Sequence, residues 1–235
     1  MSAEALDILQ SLATRDPDGY EPLNPVAFRG HHLLLSEVLE HSRPGDAVLE
    51  GGVSSGYFAE TMTTAGRIVD GHELDPITAE RARRVCRTVW VGDLQEFGEE
   101  ATASEYTVLL FGDTLEHISD PVPVLRRLIR SLKPGGRLII SVPNIANWSI
   151  RLSLLVGRFR YTDRGILDRT HVRFYTASTI VDMLNDAGFE VERLQGAVPV
   201  PGVRNPKVCR VIHRIGNLAP GFFAYNFVVT ARPST

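Results

Sequence analysis

Glu50 is the residue whose placement says most about chemistry. It ends the apolar run Ala47-Val48-Leu49 and opens a turn of small residues, Gly52, Ser54 and Gly56. A strand, a glycine-rich turn and a following helix make the nucleotide crevice of a doubly wound sheet. A pyrophosphate would rest on the N-terminus of that helix, where a neighbouring carboxylate is repulsive. Glu50 at the mouth of the turn therefore suits a cation, one carrying an ammonium and a sulfonium. The spacing also departs from Gly-x-Gly-x-x-Gly, because Ser54 and Tyr57 hold two of its glycine positions. Both features argue against a nicotinamide dinucleotide.

The elements that must position such a site read as successive βαβ units. Strands are expected over 46–50, 67–72, 88–91, 105–111 and 136–142, with helices over 56–65, 76–86 and 121–132. Lys133-Pro134-Gly135-Gly136 has the composition of a tight turn launching the fifth strand. A helix over 176–187 leads to strands at 189–195 and 222–230, expected as a hairpin closing the sheet edge. Helices over 3–14 and 26–41 precede this array, joined by a link containing Pro17, Gly19, Pro22 and Pro25. The expected fold class is α/β, a doubly wound, mostly parallel seven-stranded sheet. Residues 1–44 are expected as an N-terminal helical cap and 45–235 as the main domain. Within it, residues 145–175 break the rhythm and read as an insertion that covers substrate.

In order along the chain, Glu50-x-Gly52-x-Ser54-x-Gly56, Gly71-His72-Glu73-Leu74-Asp75-Pro76, Gly92-Asp93-Leu94, Asp113-Thr114-Leu115-Glu116-His117 and Lys133-Pro134-Gly135-Gly136 resemble the motifs of class I S-adenosylmethionine-dependent methyltransferases. The likeness spans about residues 45–195. The resemblance implies S-adenosylmethionine as cofactor, with Glu50, Gly52, Ser54 and Gly56 seating its methionine end. It further implies Glu73 and Leu74 at the ribose, Asp93 and Leu94 at the adenine, and Phe111, Gly112 and Asp113 on the floor near the sulfonium. Ser54 stands where the family commonly has glycine. Leu115-Glu116-His117-x-x-Asp120-Pro121 and the run Asp168–Thr176 are similar to a narrower group of small-molecule enzymes akin to the ubiquinone O-methyltransferases. No Asn-Pro-Pro-Tyr motif follows the fourth strand, against methylation of nucleic-acid amino groups.

Methyl transfer to a hydroxyl needs alignment and removal of a proton, and a base titrating near neutrality favours histidine. His117, just past the fourth strand, and His171, in the covering segment, are the two candidate bases. His31, His32, His41, His72 and His213 carry no role and read as surface or helix-face residues. Were the chain helical after Asp113, then Asp113, Glu116 and His117 would share one face. With His171 they would form an alternative divalent-metal set, although a metal is not the favoured reading.

Residues 151–173 hold six arginines against Asp163 and Asp168, inside a chain of net charge −3. Arginine forks suit phosphate or carboxylate, so Arg158, Arg160 and Arg173 are candidate contacts to an anionic small-molecule acceptor. Trp148, Ile150, Leu152, Leu155 and Val156 fall near helical spacing and read first as core or lid packing. A hydrophobic acceptor or shallow membrane contact is the second reading. The basic tail Arg204–Arg214 reads as a charged helix face. No global basic field recruits nucleic acid, and no apolar run approaches the ~20 residues of a membrane span. Cys86 and Cys209 match neither a disulfide framework nor a zinc site, and the N-terminus shows no secretory pattern, so the expected address is the cytoplasm. Oligomeric state is open. O-methylation of a small or sugar-containing metabolite is the expected activity. The alternatives are N-methylation of an amino sugar or peptide amine, a cofactor-binding protein without turnover, and a nicotinamide oxidoreductase.

Overall fold

Seven strands form one sheet in the order β3-β2-β1-β4-β5-β7-β6. The computed structural model describes residues 2–13, 23–97 and 106–234; the link residues Pro17, Gly19 and Pro22 lie outside them. The strands are β1 (Ala47–Gly51), β2 (Ile68–Glu73), β3 (Thr88–Val91), β4 (Tyr106–Gly112), β5 (Leu132–Pro143), β6 (Phe189–Ala197) and β7 (Asn226–Pro233). The first five are parallel, and β7 runs antiparallel to both of its neighbours. Apolar runs such as Val108-Leu109-Leu110-Phe111 are buried throughout because helices cover both faces.

Leu49, Leu109, Phe111, Leu138 and Ile140 face a layer built by α5 (Pro121–Leu128) and α7 (Ala177–Asp186). Val48, Val108, Leu110 and Ile139 alternate with them and face α1 (Ala3–Leu12), α2 (Gly30–His41), α3 (Ala59–Thr64) and α4 (Pro76–Ala82). α2 packs on β4, β5 and β7, and α1 packs on α2. Glu37 of α2, itself buried, accepts from Arg193, Gln195 and Thr230 and so ties this layer to β6 and β7.

The C-terminal expectation needs correcting. β6 and β7 pair, but they are not a hairpin, since α8 (Pro206–Gly216) and α9 (Pro220–Phe223) intervene. β7 also lies between β5 and β6, leaving β6 at the edge. The chain at 222–223 is helical because Pro220 sits in the first turn of α9 and its carbonyl accepts from Ala224 N–H. The apolar stripe at 148–156 is corrected too. It forms α6 (Trp148–Leu155), yet no α6 residue is buried. The helix lies outside both layers, and Leu155 is 81% exposed.

Candidate functional site

β1 and β4 are neighbours whose crossovers depart in opposite directions, and this is where a doubly wound sheet opens a crevice at its carboxyl edge. A cavity of about 920 Å³ lies there. One half of its wall is the turn after β1 and the ends of β2 and β3. Gly52 and Val53 both donate their N–H to the His72 carbonyl, and Ser54 N–H donates to Glu73 Oε2 at 2.8 Å. Glu73 Oε1 accepts from Asp75 N–H, which fixes the carboxylate while leaving it on the cavity wall. Gly52 has φ +74°, and a Cβ there would stand 2.7 Å from Thr114 Oγ1. Ser54, at φ 51°, takes the left-handed conformation that a glycine would adopt without strain, at a cost of roughly 1–2 kcal/mol.

The sequence-derived cofactor residues separate into two groups. Gly52, Ser54, Glu73, Leu74, Asp93, Leu94, Gly112 and Asp113 line the cavity. Glu50, Gly56 and Phe111 stand behind the wall. Gly56 allows close approach of Ala82 and Val85, and Phe111 is fully buried against Gly51. Asp113, also at positive φ, accepts from Ser141 Oγ and Asn226 Nδ2, each at 2.8 Å. Glu50 is 4% exposed, its Oε2 has no hydrogen-bond partner, and burial raises its pKa to about 8. A buried acceptor without a partner is costly, and an arriving ammonium or its water would satisfy it. With the glycine cradle at Gly52 and the acid at Glu73, these residues fit the zwitterionic, sulfonium-bearing S-adenosylmethionine.

The other half of the wall joins two distant segments. Residues 115–117 form a single 3₁₀ turn rather than an α-helix. The Glu116 carbonyl accepts from both Val172 N–H and Arg173 N–H, at 2.9 and 3.0 Å, clamping the segment around residues 172–173 onto this turn. Asp168 organises the loop between, accepting from the backbone and hydroxyl of Thr170. His171 and His117 meet edge to face with ring centroids 4.9 Å apart. His171 Nδ1 lies 3.1 Å from the Ile166 carbonyl, and His117 Nδ1 lies 3.2 Å from the Thr170 carbonyl. Carbonyls only accept, so each Nδ1 carries a proton, and in a neutral ring Nε2 is then the nitrogen with the lone pair.

Glu116 is 1% exposed, with neither carboxylate oxygen hydrogen-bonded. Its Oε1 is 3.9 Å from His171 Nε2, an approach too long for a hydrogen bond. Burial first, then the Asp113 charge, pushes the Glu116 carboxyl well above its usual range. Burial also lowers His171, keeping it neutral at pH 7. Glu116, His117 and His171 each offer a ligand atom, all within 4.8 Å of one another. Asp113 is outside this group because its carboxylate is engaged by Ser141 and Asn226, so the four-residue set expected from helical spacing reduces to three.

Arg164 and Arg169 are on the cavity wall, whereas Arg158, Arg160 and Arg173 are not. Arg173 Nε donates to the Ser119 carbonyl, and Arg169 pairs with Asp163 at 2.6 Å. Three histidines read from the sequence as peripheral are interior: His32, His72 and His213 are buried. A fourth, His31, lines the cavity beside Tyr57. The sequence signal for it is the helix expected over 26–41, which in the structure begins at Gly30 and which says nothing of the face His31 occupies.

A methyltransferase domain model matches residues 26–194, so the chain belongs to that family, the S-adenosylmethionine-dependent methyltransferases. It is an enzyme of that class with S-adenosylmethionine as its cofactor. A chain of Mycolicibacterium smegmatis named "Probable S-adenosylmethionine-dependent methyltransferase" is 32% identical over 171 residues. That alignment covers 72% of this chain and 61% of the relative, so this chain spans less than two thirds of that protein's length. A ubiquinone biosynthesis O-methyltransferase of Marinobacter nauticus is 30% identical over 200 residues, covering 80% of this chain and 82% of the relative. The fold is shared with the magnesium protoporphyrin IX methyltransferase of Synechocystis with bound S-adenosylhomocysteine. The two chains superpose with a TM-score of 0.58 at 18% identity, covering 86% of this chain and 80% of that one. None of the described helices is long and apolar enough to cross a membrane.

Proposed function

We propose that this enzyme O-methylates a small molecule whose hydroxyl is deprotonated by His171, with His117 orienting it. The observation that carries the reading is the pair of imidazoles on the acceptor wall, each held by a backbone carbonyl through Nδ1–H with Nε2 free to accept. S-adenosylmethionine, when bound, supplies an electrophilic methyl on a positively charged sulfur. The chain's own work is to hold the acceptor oxygen in line, exclude water and take the hydroxyl proton onto Nε2. Residues 145–175 act as the acceptor cover, and the exposed apolar side chains of α6 within it favour an acceptor with a hydrophobic part. An anionic group on that acceptor would meet Arg164 rather than Arg158 or Arg160. The similarity to ubiquinone biosynthesis O-methyltransferases supports oxygen as the nucleophile.

A second reading, favoured by the proximity of Glu116, His117 and His171, puts a divalent cation on these three residues to polarise the hydroxyl. Transfer of a labelled methyl to a panel of phenols, sugar hydroxyls and amines separates the readings. Chelator-stripped protein that keeps full activity on a hydroxyl acceptor, and loses it in His171→Ala, supports the base. Activity abolished by chelator and restored by magnesium or zinc supports the cation. Transfer to amines alone, unaffected by His171→Ala, would sink O-methylation.

A further inference from the structure

We propose that His31 binds the carboxylate of the cofactor's methionine moiety through its Nε2–H. The inference rests on S-adenosylmethionine occupying the described cavity and adds the group that receives its anionic end. His31 lines the cavity with Gly52, Ser54 and Tyr57, the turn that follows β1. Asn24 N–H donates to its Nδ1 at 2.9 Å. A backbone N–H can only donate, so Nδ1 must be the acceptor, and a neutral ring then carries its proton on Nε2. The rings of Tyr57 and Phe58, with centroids 5.8 and 5.6 Å away, hold the imidazole in place. Burial lowers its pKa to about 4, so it presents one fixed proton at neutral pH.

This tautomer excludes His31 as a base and makes it a donor. The bound molecule presents four polar groups: adenine, ribose, ammonium and carboxylate. The ribose and adenine regions of the cavity are served by Glu73 and Asp93, which as carboxylates accept hydrogen bonds. Glu50, also an acid, matches the ammonium. The carboxylate is the anionic group left, and it requires a donor. His31 is a neutral N–H donor side chain on the same part of the wall, as the described residues form it. A neutral imidazole also leaves Glu50 free of a competing cation, so the two ends of the zwitterion are told apart by chemistry as well as shape.

The test compares two probes by titration calorimetry, S-adenosylhomocysteine and its decarboxylated analogue, 5′-deoxyadenosine bearing a 3-aminopropyl thioether. His31→Phe keeps an aromatic ring and removes the N–H. It is expected to weaken S-adenosylhomocysteine by about 10- to 100-fold and the analogue by no more than about twofold. His31→Gln, which restores an N–H, is expected to recover most of the loss. The ratio of the two affinities on one preparation is unaffected by a partly folded variant. Equal weakening of both probes, or of neither, would overturn the role of His31 alone. A wild-type chain that binds neither probe would overturn the cofactor assignment and this inference with it.

Discussion

The two halves of the cavity are assembled by different rules. The cofactor half is local: Glu50, Gly52, Ser54, Glu73 and Asp93 sit at or just past the ends of β1, β2 and β3, where the sheet itself delivers them. The acceptor half is not local. His117 and His171 are 54 positions apart and meet because the Glu116 carbonyl binds the backbone at 172 and 173. Each half also holds a buried acid with an unsatisfied oxygen, Glu50 on one side and Glu116 on the other. Glu50 lies behind the turn and fits an ammonium, while Glu116 faces two histidines and fits a proton or a cation. Spacing therefore specifies the strand-end residues of the cofactor half, while tertiary packing adds His31 to it and specifies the chemistry of the other half.

If that division holds, removing His171 should spare cofactor affinity while stopping turnover. His171→Ala is expected to lower kcat by about 10²- to 10⁴-fold with S-adenosylhomocysteine binding unchanged by calorimetry. A parallel loss of binding would show the halves to be one unit. The pH profile sharpens this. Burial lowers the His171 pKa below 6.5, so kcat should stay level above that pH and fall as His171 is protonated below its lowered value. A fall beginning above pH 7 would assign the base elsewhere.

The next largest effect belongs to Glu50. Its carboxyl titrates at about 8 when folded, against an ordinary 4.5. The folded chain thus binds the extra proton between those values, and stability declines as pH rises from about 4.5 to about 8. Glu50→Gln should flatten this decline. It should raise the melting temperature of the ligand-free protein at pH 8 by about 2–8 °C, corresponding to roughly 1–2 kcal/mol, while weakening S-adenosylhomocysteine. A variant melting no higher than wild type at pH 8 would show that Glu50 is not buried alone.

The smallest effects test the arginines. Arg164→Ala is expected to raise the acceptor KM by about fivefold for an anionic acceptor, the upper end for a solvent-exposed ion pair. Arg158→Ala and Arg160→Ala should change it by less than about twofold, as exposed charges away from the cavity do. The reverse ranking would mean that the acceptor lies along α6 rather than inside the cavity.

Strand ends were readable because a parallel strand carries its apolar run to the sheet edge and stops there. Leu49 followed by Glu50, and Gly71-His72-Glu73, announce such ends directly. The amphipathic helices α5 and α7 were readable for a similar reason, since period and caps are local properties. α9 was misread as strand because Phe222 and Phe223 have strand-like side chains, whereas Pro220 and the Ala224 N–H decide for a helical turn. The core reading of α6 fails because apolar spacing predicts a buried face, and only the completed fold shows that the two described layers leave this helix exposed. His31 was missed because a helix face has no meaning until the partner surface is known.

The linear order of residues thus determined the parallel α/β sheet, the acid-and-glycine turn and the class of cofactor, all of which follow from interactions a few residues apart or at strand ends. Tertiary structure alone decided that His117 and His171 share a wall, that Asp113 is tied to Ser141 and Asn226, and that Arg164 rather than Arg158 borders the cavity. Those outcomes depend on backbone and side-chain groups that meet across about 28 to 113 positions of the chain, and no local pattern encodes such meetings.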